Sequence, residues 1–106
     1  MTFENVMNEV HKWYDSISTK YADIIKFEIS QNEKTIFNVF LENDRYIAQL
    51  VVEDIGFHPH RYVYLDILDA DTEEHTYYFD SEKDSMSDII EQLDRGIKFM
   101  TDVELW

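Results

Sequence analysis

His58 and His60 flank the only proline of the chain, and their types and spacing could bind a metal ion. Two imidazoles in one loop, together with a nearby carboxylate, could ligate zinc. A solvent-facing loop stiffened by Pro59 explains the same residues without a metal, and no two further ligands stand nearby in the sequence. We therefore expect no metal and no cofactor, and a zinc site at these histidines is the minor alternative.

Residues for covalent or phosphate chemistry are scarce. The chain has no cysteine and only two glycines, which excludes a thiol nucleophile and a glycine-rich phosphate loop. The segment from Asp69 resembles the start of a calcium-binding loop, but Glu74 occupies the place that needs glycine. The sequence therefore predicts that the protein is not an enzyme.

Carboxylates are concentrated between Tyr64 and Asp94, where eleven acidic residues accompany one basic residue, Lys83. Unpaired carboxylates are costly to bury, so most should lie on the surface, close to several tyrosines. Tyrosine beside carboxylates is typical of protein-binding surfaces, although a solvated charge run is the plainer explanation. We predict electrostatic partner contacts at Asp69, Asp71, Glu73, Glu74, Asp80, Glu82 and Asp84, and apolar anchors at Tyr62, Tyr64 and Tyr78.

The overall charge points to the same kind of partner. Twenty-three acidic residues against nine basic ones give −14 at pH 7 and a pI near 4.4. Such a field repels nucleic acid and anionic membranes, and it attracts basic proteins. The beginning of the chain lacks a signal-peptide pattern, and no apolar run reaches the roughly 18 residues that span a bilayer. We expect a cytoplasmic protein that binds neither nucleic acid nor membrane.

Two segments have the apolar spacing of amphipathic helices. Over residues 3–20 apolar side chains recur every three or four positions, and Thr2 can cap the first turn. A second helix is predicted over about 86–100, where Ser85 and Asp88 form a capping box with Asp in place of Glu.

Between these helices the apolar period changes to two, which predicts strands over 24–30, 35–42, 45–53, 62–68 and 74–79. Residues 31–34 are predicted as a turn, and Asn43-Asp44 as a two-residue hairpin. Short connections make sequential strands antiparallel neighbours. We predict an α+β fold of one domain, residues 1–106: a two-layer sandwich in which both helices pack on one face of a five-stranded antiparallel meander. The uncovered face should carry Asn38, Phe40, Tyr62, Tyr64, Asp66 and Tyr78.

Several segments together resemble a known family. They are RYIAQLVVE at 45–53, LDILDADTEE at 65–74, YYF at 77–79, the final amphipathic helix, and Trp13-Tyr14 in the first helix. In order and composition the chain resembles the immunity proteins of bacterial contact-dependent growth inhibition and polymorphic toxin systems, more specifically the TriTu family.

The resemblance implies an immunity protein that binds and neutralises one cognate basic toxin domain. Such toxins are commonly nucleases, including tRNA-cleaving ones, and an acidic surface can cover their active site without any catalytic residue. The alternative is a small acidic regulatory or scaffold module, homodimeric through the uncovered sheet face.

Overall fold

The computed structural model describes residues 2–54 and 61–101, and over these ranges it has the predicted α+β architecture. Five strands form one antiparallel sheet in sequence order, and a helix stands at each end of the described chain. The elements are α1 (Phe3–Lys20), β1 (Lys26–Glu33), β2 (Ile36–Glu42), β3 (Tyr46–Glu53), β4 (Val63–Asp69), β5 (His75–Phe79) and α2 (Met86–Thr101).

Both helices begin at capping boxes. The Asn5 N–H donates to Thr2 Oγ1 at 3.1 Å, and the Thr2 N–H donates back to Asn5 Oδ1 at 3.3 Å. The predicted box at α2 is confirmed, because the Asp88 N–H donates to Ser85 Oγ and the Ser85 N–H donates to Asp88 Oδ2. Each box satisfies amides that have no partner inside the helix.

The helices bury their apolar stripes against the same face of the sheet. Tyr14 of α1 meets the rings of Phe27 and Phe37 edge-on, at 5.9 and 5.5 Å between centroids. Gly96 lets α2 approach β4 closely, since a Cβ at this position would lie 2.6 Å from Leu65 Cδ2. This helix-covered face forms the core, which contains buried residues of both helices and of β2, β3 and β4.

The first two turns differ from the prediction. β1 continues to Glu33, with a bulge between Ile29 and Gln31, so the turn is at residues 34–35 rather than 31–34. The β2–β3 connection has three residues instead of two, because Asn43 Oδ1 accepts from the N–H groups of Arg45 and Tyr46. The side-chain amide of Asn43 also donates to the Met100 carbonyl at 2.8 Å, which connects this hairpin to the end of α2.

Candidate protein-binding surface

Asp80, predicted as a surface contact, is fully buried. Its Oδ1 accepts hydrogen bonds from three successive backbone amides, those of residues 61, 62 and 63, at 2.7 to 2.9 Å. The carboxylate therefore fixes the start of β4 against the end of β5. Asp80 is a structural residue, and its prediction as a partner contact is wrong.

Asp69 is also turned inward, with 8% of its surface exposed. Its Oδ2 accepts from Arg45 Nε and Nη2 at 3.1 and 2.9 Å, and its Oδ1 accepts from the Asp71 and Thr72 amides. The hydrogen bond from Arg45, followed by those from the two amides, lowers the pKa of Asp69. Asp69 thus joins the β2–β3 turn to the β4–β5 turn, and it is not an exposed contact.

Asp84 and Tyr78 are hydrogen-bonded to each other. The Tyr78 hydroxyl donates to Asp84 Oδ2 at 3.0 Å, and the same oxygen accepts from the Ser81 amide. Burial, and next the bond to Asp84, raise the pKa of the Tyr78 phenol. Tyr78 pairs with Leu65 and packs against the core, so its predicted place on the uncovered face is wrong.

The remaining predicted carboxylates are exposed at the two ends of β5. Asp71, Glu73 and Glu74 lie in the β4–β5 turn, and Glu82 lies between β5 and α2. Asp71 Oδ2 is 3.8 Å from Arg45 Nε, but 72% of its side chain stays exposed. These four residues keep their charge at the surface, as predicted.

The two other predicted apolar anchors, Tyr62 and Tyr64, lie in different places. The Tyr62 ring packs edge-on against Phe3 of α1 at 5.4 Å, and Tyr62 is half-buried against the core, so its placement on the uncovered face is wrong. Tyr64 does lie on that face, where its hydroxyl donates to Asp66 Oδ2 at 3.3 Å. Burial, and next the charge of Asp66, raise the pKa of Tyr64.

Strand register defines the second face of the sheet, here called the open face. Residues that pair directly across antiparallel strands share a face of the sheet. One row of such pairs, which defines the open face, consists of Phe40, Gln49, Asp66 and Tyr77. In the described ranges both helices cover the opposite face. The apolar residues of the open face are Ile36, Phe40, Ile47, Val51, Tyr64, Leu68, Tyr77 and Phe79.

Carboxylates accompany these apolar residues on the open face. The same register places on the open face Glu28, Glu33, Glu42, Glu53 and Asp66, against a single lysine, Lys26. Four of the five are on strands β1 to β3, outside the stretch 64–94 that the sequence analysis singles out. For Glu28 and Glu42, the alternation with Phe27 and Leu41 in the sequence was the available signal.

An aromatic row runs along β5 on the open face. The rings of His75, Tyr77 and Phe79 stack in order, at 5.5 and 5.7 Å between centroids and nearly parallel. His75 Nδ1 is 2.8 Å from Asp66 Oδ1, which orients the imidazole toward the sheet centre. Tyr77 is 53% exposed, so the row presents aromatic surface beside a carboxylate.

His58 and His60, the histidines of the alternative zinc site, lie outside the described residues. Within residues 2–54 and 61–101, no group of three or more His, Asp or Glu side chains is arranged to hold a metal ion. Neither helix in these ranges has the length and apolar character to cross a membrane.

Comparison with known proteins identifies no relative. No protein-family model matches the chain, and neither a curated protein nor a solved structure matches it.

Proposed function

We propose that this protein is an inhibitor of the immunity type, which binds a basic protein through the open face and thereby neutralises it. The observation that carries the proposal is the composition of that face. Exposed Ile47 and Tyr77 are among its apolar residues, with five carboxylates and one lysine around and between them. Exposed apolar surface rimmed by polar groups is a mark of a protein interaction site.

Each part of the open face has a physical task in this proposal. The apolar residues of the open face supply area that is desolvated on binding, and a few aromatic anchors usually dominate such interfaces. The carboxylates steer a positively charged partner, and complementary fields raise association rates by roughly ten- to a thousand-fold. The exposed turn residues Asp71, Glu73, Glu74 and Glu82 add to this field.

The partner class follows from the charge. A nuclease domain needs a basic cleft to hold phosphates, and an acidic surface can occupy that cleft in place of nucleic acid. We therefore propose a basic nuclease toxin as the partner, an RNA-cleaving one in keeping with the family resemblance, and a cytoplasmic site of action.

Face-to-face dimerisation, the alternative, is opposed by the same charges. Stacking two copies would bring two sets of five carboxylates together with only one lysine in each set. Like charges across an interface are unfavourable by several kcal/mol. A basic partner meets no such penalty.

The test is rescue of growth. The carboxy-terminal domain encoded by the reading frame next to this gene is produced from an inducible promoter, with and without this protein. Wild-type protein should restore growth and bind the purified domain, with an association rate that falls steeply as salt is added. Absence of both rescue and binding would contradict the proposal.

A charge-reversal variant tests the surface. Glu28, Glu33 and Glu42, all exposed on the open face, are changed together to lysine, and the rate of association should fall at least about tenfold. The matched control reverses Asp15, Asp23 and Glu91, which are exposed on the helices and the α1–β1 connection. If the control loses as much as the open-face variant, net charge rather than this surface determines binding.

A further inference from the structure

The two edges of the sheet are built differently. β1 has a bulge between Ile29 and Gln31, carries Lys26, and exposes all but one of its eight residues. Bulges and lysines on edge strands are devices that prevent pairing with another chain. β5 has neither: His75 to Phe79 pair with β4 in unbroken register, without lysine or proline. Among the described residues, no strand pairs with the outer side of β5.

The outer side of β5 presents backbone hydrogen-bonding groups. The Asp69 amide donates to the Glu74 carbonyl and the Asp80 amide to the Val63 carbonyl, which sets the phase of the β4–β5 ladder. In an antiparallel pair this phase alternates, so Thr76 and Tyr78 face β4. The N–H and C=O groups of His75 and Tyr77 therefore point away from the sheet.

A groove follows this edge on its helix side. It has a volume of about 190 Å³ and lies between β5 and α2, where Ile67, Tyr78 and Phe99 line it together with the polar side chains of Gln92 and Arg95. Phe99 is 44% exposed at its outer wall. An apolar cavity of about 150 Å³ holds a benzene molecule, so this groove has room for one apolar side chain.

We infer that β5 is a docking strand, to which an extended segment of the partner protein adds as a sixth strand. Its backbone pairs with His75 and Tyr77, one apolar side chain enters the β5–α2 groove, and alternate side chains lie on the open face beside the aromatic row. Strand addition of this kind takes affinity from main-chain hydrogen bonds and specificity from pockets for alternate side chains. The inference rests on the proposed function, because it specifies how the basic partner is held.

Charge identifies the occupant as a basic segment rather than a second copy of this chain. Glu73 and Glu74 stand at one end of β5 and Glu82 near the other, while Asp66 lies beside the aromatic row. Two copies paired through β5 would bring these acids together on molecules of charge −14 each. A segment with lysine or arginine on the open-face side meets the same acids favourably.

The first experiment uses a synthetic peptide, with blocked ends, of alternating lysine and valine, about eight residues long like an ordinary strand. Amide hydrogen exchange of the intact protein is followed with and without the peptide at millimolar concentration. The Thr76 and Tyr78 amides should exchange slowly in both states, and those of His75 and Tyr77 should slow at least about tenfold with peptide.

Four results would overturn the inference: no effect of the peptide, protection on β1 or the helices instead, equal protection by a peptide with glutamate in place of lysine, or a dimer of the free protein that protects the same two amides. None of these outcomes depends on the toxin. Rescue of growth can thus fail or succeed independently of this measurement.

A pair of variants then tests the strand in the complex. Tyr77→Ala removes the ring and keeps the outward N–H, whereas Tyr77→Pro removes both, and proline is tolerated on the outer side of an edge strand. Affinity for the toxin domain should be at least about tenfold lower for Tyr77→Pro than for Tyr77→Ala. Equal affinities would contradict strand addition, even where rescue by the wild type supports the proposed function.

The control is Asn32→Pro on the other edge. The Asn43 N–H donates to the Tyr46 carbonyl, and along β2 the backbone groups of successive residues point alternately to β3 and to β1. Phe37 therefore bonds to β3, and its partner Asn32 has its N–H on the outer side of β1. This variant should bind as the wild type does. Should Tyr77→Pro fail to fold, the exchange measurement on the wild-type protein decides alone.

Discussion

Two sets of carboxylates in this molecule have opposite surroundings. At the ends of β4 and β5, Asp69 and Asp80 are turned inward and accept hydrogen bonds from backbone amides and from Arg45. On the open face Glu28 and Glu42 are exposed among apolar side chains. The first set stabilises the fold by accepting hydrogen bonds within the chain, although Asp80 Oδ2 is buried without a partner among the described residues. The second set leaves its charge available to a partner. A high acidic count therefore does not by itself measure a binding surface.

The largest effect on stability is expected at Asp80. Asp80→Ala removes a fully buried acceptor and leaves the amides of Tyr62 and Val63 without it, whereas the Arg61 amide keeps its bond to the backbone carbonyl of residue 80. Unsatisfied buried donors cost about 1–3 kcal/mol each, and partial access of water should limit the total to roughly 3 kcal/mol. Urea unfolding followed by circular dichroism measures this loss in the free energy of unfolding.

The matched variant is Glu82→Ala, two positions further along the chain and exposed. Its free energy of unfolding should stay within about 0.5 kcal/mol of the wild type. If the two variants were equally stable, the distinction between inward and outward carboxylates would lose its energetic basis.

Asp80 also shows which features can be predicted from the sequence and which cannot. The helices, the order of strands and the Ser85–Asp88 cap depend on local periodicity and spacing, and they are confirmed. Asp80 has no such local signal, because its partners at 61–63 lie across the sheet. A sequence shows that an acid is present, but the set of amides around it exists only after folding.

The aromatic positions demonstrate a second limit. In β5 the run Tyr77-Tyr78-Phe79 is aromatic on both faces, so the period of two cannot fix its phase. The structure puts Tyr77 and Phe79 on the open face and Tyr78 toward the core. In β4, where Asp66 alternates with Leu65 and Ile67, the predicted face is right, and Phe40 of β2 also lies on its predicted face.

A smaller effect is expected from acid at Asp69. The hydrogen bond from Arg45 holds the folded-state pKa of Asp69 below its ordinary value of 3.8. A carboxylate with a lowered pKa binds fewer protons when folded, so its contribution is complete above the unfolded-state pKa and is lost as pH falls through the folded-state pKa. The urea midpoint of the wild type should therefore fall as pH drops from about 5 to below about 3.8.

Asp69→Asn provides the comparison, because it removes the titrating group and keeps a side chain of similar shape. Its urea midpoint should be lower at neutral pH and should fall less steeply over the acid range. An unchanged slope would mean that other carboxylates carry the acid sensitivity. Asp71→Asn, exposed in the same turn, serves as the control and should follow the wild type.

The smallest effect on stability, and of opposite sign, is expected on the open face. Its five carboxylates repel one another and outnumber its single lysine, and the whole chain has a charge of −14. Replacing Glu28 and Glu42 by glutamine should therefore raise the free energy of unfolding by up to about 0.5 kcal/mol at low ionic strength. The gain should shrink as salt is added, since exposed charges are screened within roughly 10 Å at 0.1 M.

The same variant should bind the basic toxin domain more slowly. A residue whose removal stabilises the fold and weakens binding is kept for the partner, whereas loss of stability on this replacement would place Glu28 and Glu42 with the inward set.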